Sequence, residues 1–143
     1  MKRIANFALP ILIVAILYLM ITGNFFSPSP FVIAAQVLTV ALMFWARRSF
    51  NAGQFSVSAE PKDGPLMSNG PYRLIRHPMY AAGLLLIWSS VLGHLSVITA
   101  VVAVIVTCVI FLRIGVEEQY LRERFADYAE YARKTKRVIP YVV

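Results

Sequence analysis

The feature that most constrains this chain is where its charges stand. Lys, Arg, Asp and Glu are absent from three apolar runs, 4–23, 31–46 and 79–92, and enter a fourth, 95–114, only at Arg113. A helix needs ~20 apolar residues to cross a hydrocarbon core ~30 Å thick, because each residue rises ~1.5 Å. The first and fourth runs meet that length, the second comes close and the third is short. With 59% hydrophobic and 15% charged residues, the chain has too little polar surface to face water on every side. The sequence therefore predicts an all-α integral membrane protein with about four transmembrane helices. Its 143 residues suit a single domain, 1–143.

Turn chemistry divides the runs. Asn24 to Pro30 separates the first pair, and Gly93-His94 joins the last pair into a tight antiparallel hairpin. Between Ser49 and Arg76 lies a polar connector rich in Gly, Pro, Ser and Asn, with little regular structure expected. After Glu117 the residues Leu121, Phe125, Tyr128 and Ala132 mark the apolar stripe of an amphipathic helix, opened by Glu117-Glu118 and closed by Arg133-Lys134-Thr135-Lys136-Arg137. Pro10 lies in the first run as a candidate kink. That run is longer than the usual signal core of about 7–15 residues, so a retained helix is expected. Cys108 reads as a small core residue, and a disulfide within the chain needs a second cysteine.

Basic residues orient this topology. Lys2-Arg3, the connector and the segment after Arg113 all fall on one side of a four-helix arrangement, whereas turns 24–30 and 93–96 carry no charge. The positive-inside rule puts both termini and the connector in the cytoplasm. Net charge is +7. The basic residues flank apolar runs, so the expected partner is anionic lipid and not nucleic acid.

The polar chemistry gathers in two segments, 69–80 and 113–121, which the hairpin brings to the same helix ends. Arg113 and Glu117 are spaced i, i+4 on one helical face. Either they form a local ion pair beneath a snorkelling arginine, or Arg113 faces a substrate. His77 precedes Pro78, a residue suited to the first turn of a helix. Either His77 caps that helix, or it meets an anion at the helix start. The tyrosines 72, 80, 120, 128 and 131 fit an interfacial aromatic belt, and one or two of them suit stacking on a ligand ring or a sulfonium. Two histidines on opposite sides do not make a zinc site.

Gly70-Pro-Tyr72, Arg76-His77-Pro78-x-Tyr80-x-x-Gly83, Glu117-Glu118-x-x-Leu121, Phe125-x-x-Tyr128-x-x-Tyr131 and Arg137-x-x-Pro140 together resemble the isoprenylcysteine carboxyl methyltransferase family, which is related to membrane phospholipid N-methyltransferases. The resemblance implies an S-adenosylmethionine-dependent methyltransferase acting on a lipophilic acceptor, a carboxylate, at the cytoplasmic face. The cofactor-binding part would cover about 64–140, under a C-terminal cap. By position, Leu66, Met67, Tyr72, His77, Pro78, Met79, Tyr80 and Glu117 resemble cofactor contacts, and Arg113 resembles the residue that orients the substrate. Gly64-Pro65 stands where the family commonly carries His-Thr. Three alternatives share the pattern. One is a lipid-amine methyltransferase with Glu118 or His77 as base. Another is a sterol-type reductase holding NADPH with Arg73, Arg76 and Arg124. The third is a membrane protein that keeps the fold without catalysis.

Overall fold

The structure, a computed structural model, describes residues 7–50 and 65–140. The basic pair Lys2-Arg3, most of the connector with Gly64, and the last three residues lie outside them. Among the described residues there are five α-helices and no strand: α1 (Ala8–Ile21), α2 (Pro30–Arg48), α3 (Pro78–Gly93), α4 (Val97–Arg124) and α5 (Tyr128–Lys134), with a 3-10 turn at Gly70–Arg73. The all-α expectation holds. By length and composition α2 and α4 are long and apolar enough to cross a membrane. The 14 residues of α1 and the 16 of α3 reach only about 21 and 24 Å.

Local sequence explains the boundaries. Pro30 and Pro78 sit in the first turns of α2 and α3, where a missing amide hydrogen costs nothing. Ser96 and Thr99 form a reciprocal capping box at the start of α4. Arg47 and Arg48 occupy the last turn of α2, where cations complement the helix dipole. Pro10 falls in the first turn of α1 and not in its interior, so it requires no kink.

The expected C-terminal helix needs correction. Glu117 and Glu118 do not open a new helix; α4 continues through them as one 28-residue helix to Arg124. That helix is about 42 Å long, some 12 Å more than a bilayer core, and all its charged residues but Arg113 lie in that excess at its C-terminal end. The chain breaks at an extended Phe125, which divides the stripe of Leu121, Phe125, Tyr128 and Ala132 between α4 and α5. Thr135 is extended as well, and residues 135–137, with basic Lys136 and Arg137, form a strap instead of a helix end. The reading of Cys108 is also corrected: its side chain is exposed, on the outer face of α4.

Helix α2 packs on α3, α3 on α4, and α1 on both α3 and α4. The shared core includes Leu19, Ile87, Val91, Val106, Ile110 and Ile114. In lipid an apolar side chain gains little from leaving its surroundings, so close packing and interhelical hydrogen bonds decide association, at roughly 0.6–2 kcal/mol per bond. Trp88 Nε1 donates to Thr107 Oγ1 at 3.1 Å, joining α3 to α4. Gln36 Nε2 donates to the Phe25 carbonyl at 2.7 Å and reaches Ser90 Oγ at 3.4 Å. The hairpin forms as expected. A Cβ on Gly93 would stand 2.8 Å from the Cβ of Ser27, so only glycine lets turn 24–30 close against it. His94 Nε2 donates to the Phe26 carbonyl at 2.6 Å, which ties the two turns together.

Candidate active site

The approach to the site begins at Gly70. Its φ of +57° favours glycine, and a Cβ there would run into Ser49 Oγ and lie 3.2 Å from Trp45 Nε1. The absence of a side chain thus lets the connector rest on the end of α2. Pro71 is the second residue of the 3-10 turn, and the amides of Leu74 and Ile75 return to its carbonyl at 3.0 and 3.1 Å. The next residues pair with the strap in a short parallel bridge. Arg76 N donates to Lys136 O at 2.7 Å, His77 N to Arg137 O at 2.9 Å, and Lys136 N to Leu74 O at 3.2 Å. Tyr131 Oη donates to the Tyr72 carbonyl at 2.7 Å. His77 then occupies the N-cap position of α3, with no side-chain hydrogen bond to the helix.

Two polar clusters meet where α3 begins and α4 leaves its apolar stretch. In the first, buried Glu118 takes a hydrogen bond from Arg76 Nε at 2.8 Å and one from Arg137 Nη2 at 3.2 Å. His77 Nε2 stands 3.5 Å from Glu118 Oε1, within ion-pair range, but makes no hydrogen bond among the described residues. Arg76 also donates through Nη1 to the carbonyls of Ala132, at 3.0 Å, and Thr135. In the second cluster Arg113 Nε donates to Tyr80 Oη at 2.6 Å, and Tyr80 Oη donates to Glu117 Oε2 at 2.8 Å. The Arg113 guanidinium lies 5.7 Å from the Tyr80 ring centroid. The His77 and Tyr80 rings stack at 5.5 Å, which links the clusters.

The two remote segments therefore converge, and His77, Tyr80, Arg113 and Glu117 stand together. The local Arg113–Glu117 pair suggested by spacing is replaced by a bridge through Tyr80. Pro78 is buried, whereas Met79, Leu66 and Met67 are half-buried, the last two on the segment leading into the 3-10 turn. Tyr72 is buried against Phe50. Of the arginines considered for a phosphate pocket, Arg76 is committed to Glu118 and the strap, and Arg73 and Arg124 are exposed. The sequence reading missed the structural part of Glu118 and Arg137, whose pairing across 19 positions no local periodicity reveals.

Three tyrosines around the site share one electrostatic condition. Burial, aided by the charge of Glu117, raises the Tyr72 phenol well above its ordinary value; burial and Tyr128 raise that of Tyr131. Burial and Glu118 push the Tyr128 phenol up to about 12. A folded-state pKa above the unfolded value adds stability that is fully present below the unfolded value, about 10, and is lost as pH rises through the folded value. We expect the absorbance of ionised tyrosine to lag behind that of free tyrosine between pH 10 and about 12, and stability to fall over the same interval. Ordinary ionisation of every tyrosine in the folded protein would contradict this.

Tyr128 is wholly buried, and its hydroxyl, like His77 Nε2, has no hydrogen-bond partner among the described residues. A buried orphan of this kind costs about 1–3 kcal/mol. Both lie close to the Glu118 charge, so the site holds unmet polar capacity beside a mixed set of Arg and Glu.

A family model described as phospholipid methyltransferase matches residues 14–128, which contain helices α2 to α4 and both polar segments. The chain belongs to the phospholipid methyltransferase family. It is also similar to the cobalt-zinc-cadmium resistance protein CzcN of Cupriavidus metallidurans, at 34% identity over 80 residues, covering 55% of this chain and 37% of the relative. To protein-S-isoprenylcysteine O-methyltransferase A of Arabidopsis thaliana it is 33% identical over 115 residues, covering 78% of this chain and 56% of the relative. The chain thus spans between about a third and just over half the length of these relatives. The resemblance read from residues 70–140 holds at the level of the family. No solved structure gives a significant match.

Proposed function

We propose that this chain is an integral membrane methyltransferase that transfers a methyl group from S-adenosylmethionine to a carboxylate on a lipophilic acceptor. The observation that carries the reading is the chain Arg113–Tyr80–Glu117, which holds a cation and an anion on one hydroxyl where two remote segments meet. Family membership supports the class of reaction, and the Arabidopsis relative, whose name gives O-methylation of S-isoprenylcysteine, supports transfer to an oxygen such as that of a carboxylate. In this reading residues 1–143 form one domain with four membrane passes. Residues 64–140 bind the cofactor, and the site and both termini face the cytoplasm.

The residues present suit such a cofactor. Glu117 would accept from ribose hydroxyls or the ammonium group, and the amide-rich start of α3 with His77 would take the carboxylate. The rings of Tyr72 and Tyr80 would lie against the cofactor, with Pro78 and Met79 at its edge and Leu66 and Met67 contributing backbone contacts. His77 Nε2, which makes no formed hydrogen bond among the described residues, gives that carboxylate a partner. The cofactor supplies an electrophilic methyl on a sulfonium. A carboxylate acceptor is already a nucleophile, so this chain needs to position it and exclude water. Arg113, 4% exposed, would hold the acceptor by charge-assisted hydrogen bonds.

The test is transfer of labelled methyl groups from S-adenosylmethionine to a lipid extract by the purified protein in vesicles. A label released as methanol by mild base marks a methyl ester and supports the carboxylate. Label retained through base treatment would move the acceptor to an amine. In that case His77 is the available base, because its Nε2 meets Glu118 only at 3.5 Å while Glu118 itself is held by two arginines. No incorporation, together with no binding of S-adenosylhomocysteine, would refute the assignment.

A further inference from the structure

Helix α4 is a ruler for depth. Glu118 stands about 32 Å along it from Val97, close to the ~30 Å of a hydrocarbon core. Arg76 and Arg137 meet Glu118 at that level. Arg76 also holds the carbonyls of Ala132 and Thr135 there, so the end of α5 comes back to the same depth. Val138 reaches a little deeper, buried in the core cluster with Ile110 and Ile114 of α4. The strap and residues 73–76 therefore run along one edge of the apolar layer. Helix α3 gives a second reason. Its 16 residues span about 24 Å, some 6 Å less than the core, and a short span draws its flanking residues to the hydrocarbon edge.

The outward side of this layer is amphipathic. Leu74 is 49% and Ile139 53% exposed, whereas their neighbours Ile75 and Val138 are buried. Arg73, Arg133, Lys134 and Lys136 are exposed around them, and the acid beside them, Glu130, is paired with Lys134 at 2.6 Å. Apolar tips among cations, at the level where hydrocarbon gives way to headgroups, match a segment that lies in the membrane interface. We propose that residues 73–74 and 133–139 form an interfacial foot. Leu74 and Ile139 enter the edge of the hydrocarbon, and Arg73, Arg133 and Lys136 bind anionic phospholipid headgroups. The proposal needs α4 to span a bilayer and does not depend on the methyltransferase reading. It ties the strap, whose inner side holds the start of α3, to the membrane surface on its outer side.

The test uses the full chain in vesicles of phosphatidylcholine and phosphatidylglycerol, with Cys108→Ser as background. A bimane label is placed on Leu74→Cys, on Ile139→Cys or, as the reference, on Ala126→Cys in the exposed turn between α4 and α5. Brominated acyl chains quench a label in lipid, and iodide quenches one in water. Labels at 74 and 139 are expected to be quenched by brominated lipid about threefold more than the label at 126, with the opposite order for iodide. At equal mole fraction, brominated phosphatidylglycerol is expected to quench them about twofold more than brominated phosphatidylcholine. That excess is expected to vanish when Arg73→Gln, Arg133→Gln and Lys136→Gln are combined. Position 139 decides alone if Leu74→Cys fails to fold, because Ile139 lies outside the bridge that joins the strap to residues 74–77. Iodide quenching at 139 equal to that at 126 overturns the proposal. Equal quenching by the two brominated lipids, or an excess that survives the triple replacement, overturns the binding of anionic headgroups.

Discussion

Replacing Glu118 with alanine is expected to destabilise the protein by about 3–5 kcal/mol, the usual cost of stripping a buried ion pair of one partner. The Arg76 and Glu118 side chains are 9% and 4% exposed, so the guanidinium left behind would be neither solvated nor neutralised. Arg76 is also the anchor of the strap through the carbonyls of Ala132 and Thr135. The loss is therefore expected to spread to α5 and residues 135–137. Two measurements check it: a lower melting temperature in detergent, and faster tryptic cleavage after Lys134 and Lys136. Arg137→Ala provides the contrast. Its side chain is 46% exposed, so solvent screens the pair and the expected cost is roughly 1 kcal/mol or less. Equal melting temperatures for Glu118→Ala and wild type would show that the carboxylate does not hold the strap.

The second large effect separates two residues one turn apart. Glu117→Ala is expected to remove measurable binding of S-adenosylhomocysteine while the protein stays folded, because the half-buried carboxylate accepts from Tyr80 alone among the described residues. Arg113→Ala is expected to retain most cofactor affinity and to lower turnover on the order of a hundredfold, the scale set by a misplaced acceptor. Calorimetry gives the first quantity and methyl incorporation the second. Cofactor affinity unchanged by Glu117→Ala would remove that residue from the site. A turnover unchanged by Arg113→Ala would leave the acceptor's position unexplained.

Much of this protein is legible in one dimension. The proline-led starts of α2 and α3, the hairpin at Gly93-His94 and the apolar faces follow from rules that operate within one or two helical turns. The grouping of residues 69–80 with 113–121 is legible for the same reason: a tight hairpin returns the chain to the level at which it left. The reading failed where a local pattern had two continuations. Glu117-Glu118 looks like a helix start, but packing carries α4 past it to Arg124. Spacing likewise pairs Arg113 with Glu117 and says nothing of a tyrosine arriving from α3. Cys108 was read as core because every residue in an apolar run looks alike; its exposed place depends on which face of α4 meets α1 and α3.

Hydrophobic length and turn chemistry are local properties, and they suffice to specify a helical chain with charge-free turns and with charged segments placed to share one end of the bundle. The partners that the charges keep follow from packing in three dimensions: Tyr80 stands between Arg113 and Glu117, and Glu118 between Arg76 and Arg137. The physical reason is that a buried charge is satisfied by whatever polar atom comes within about 3 Å, and at that scale sequence separation carries no information.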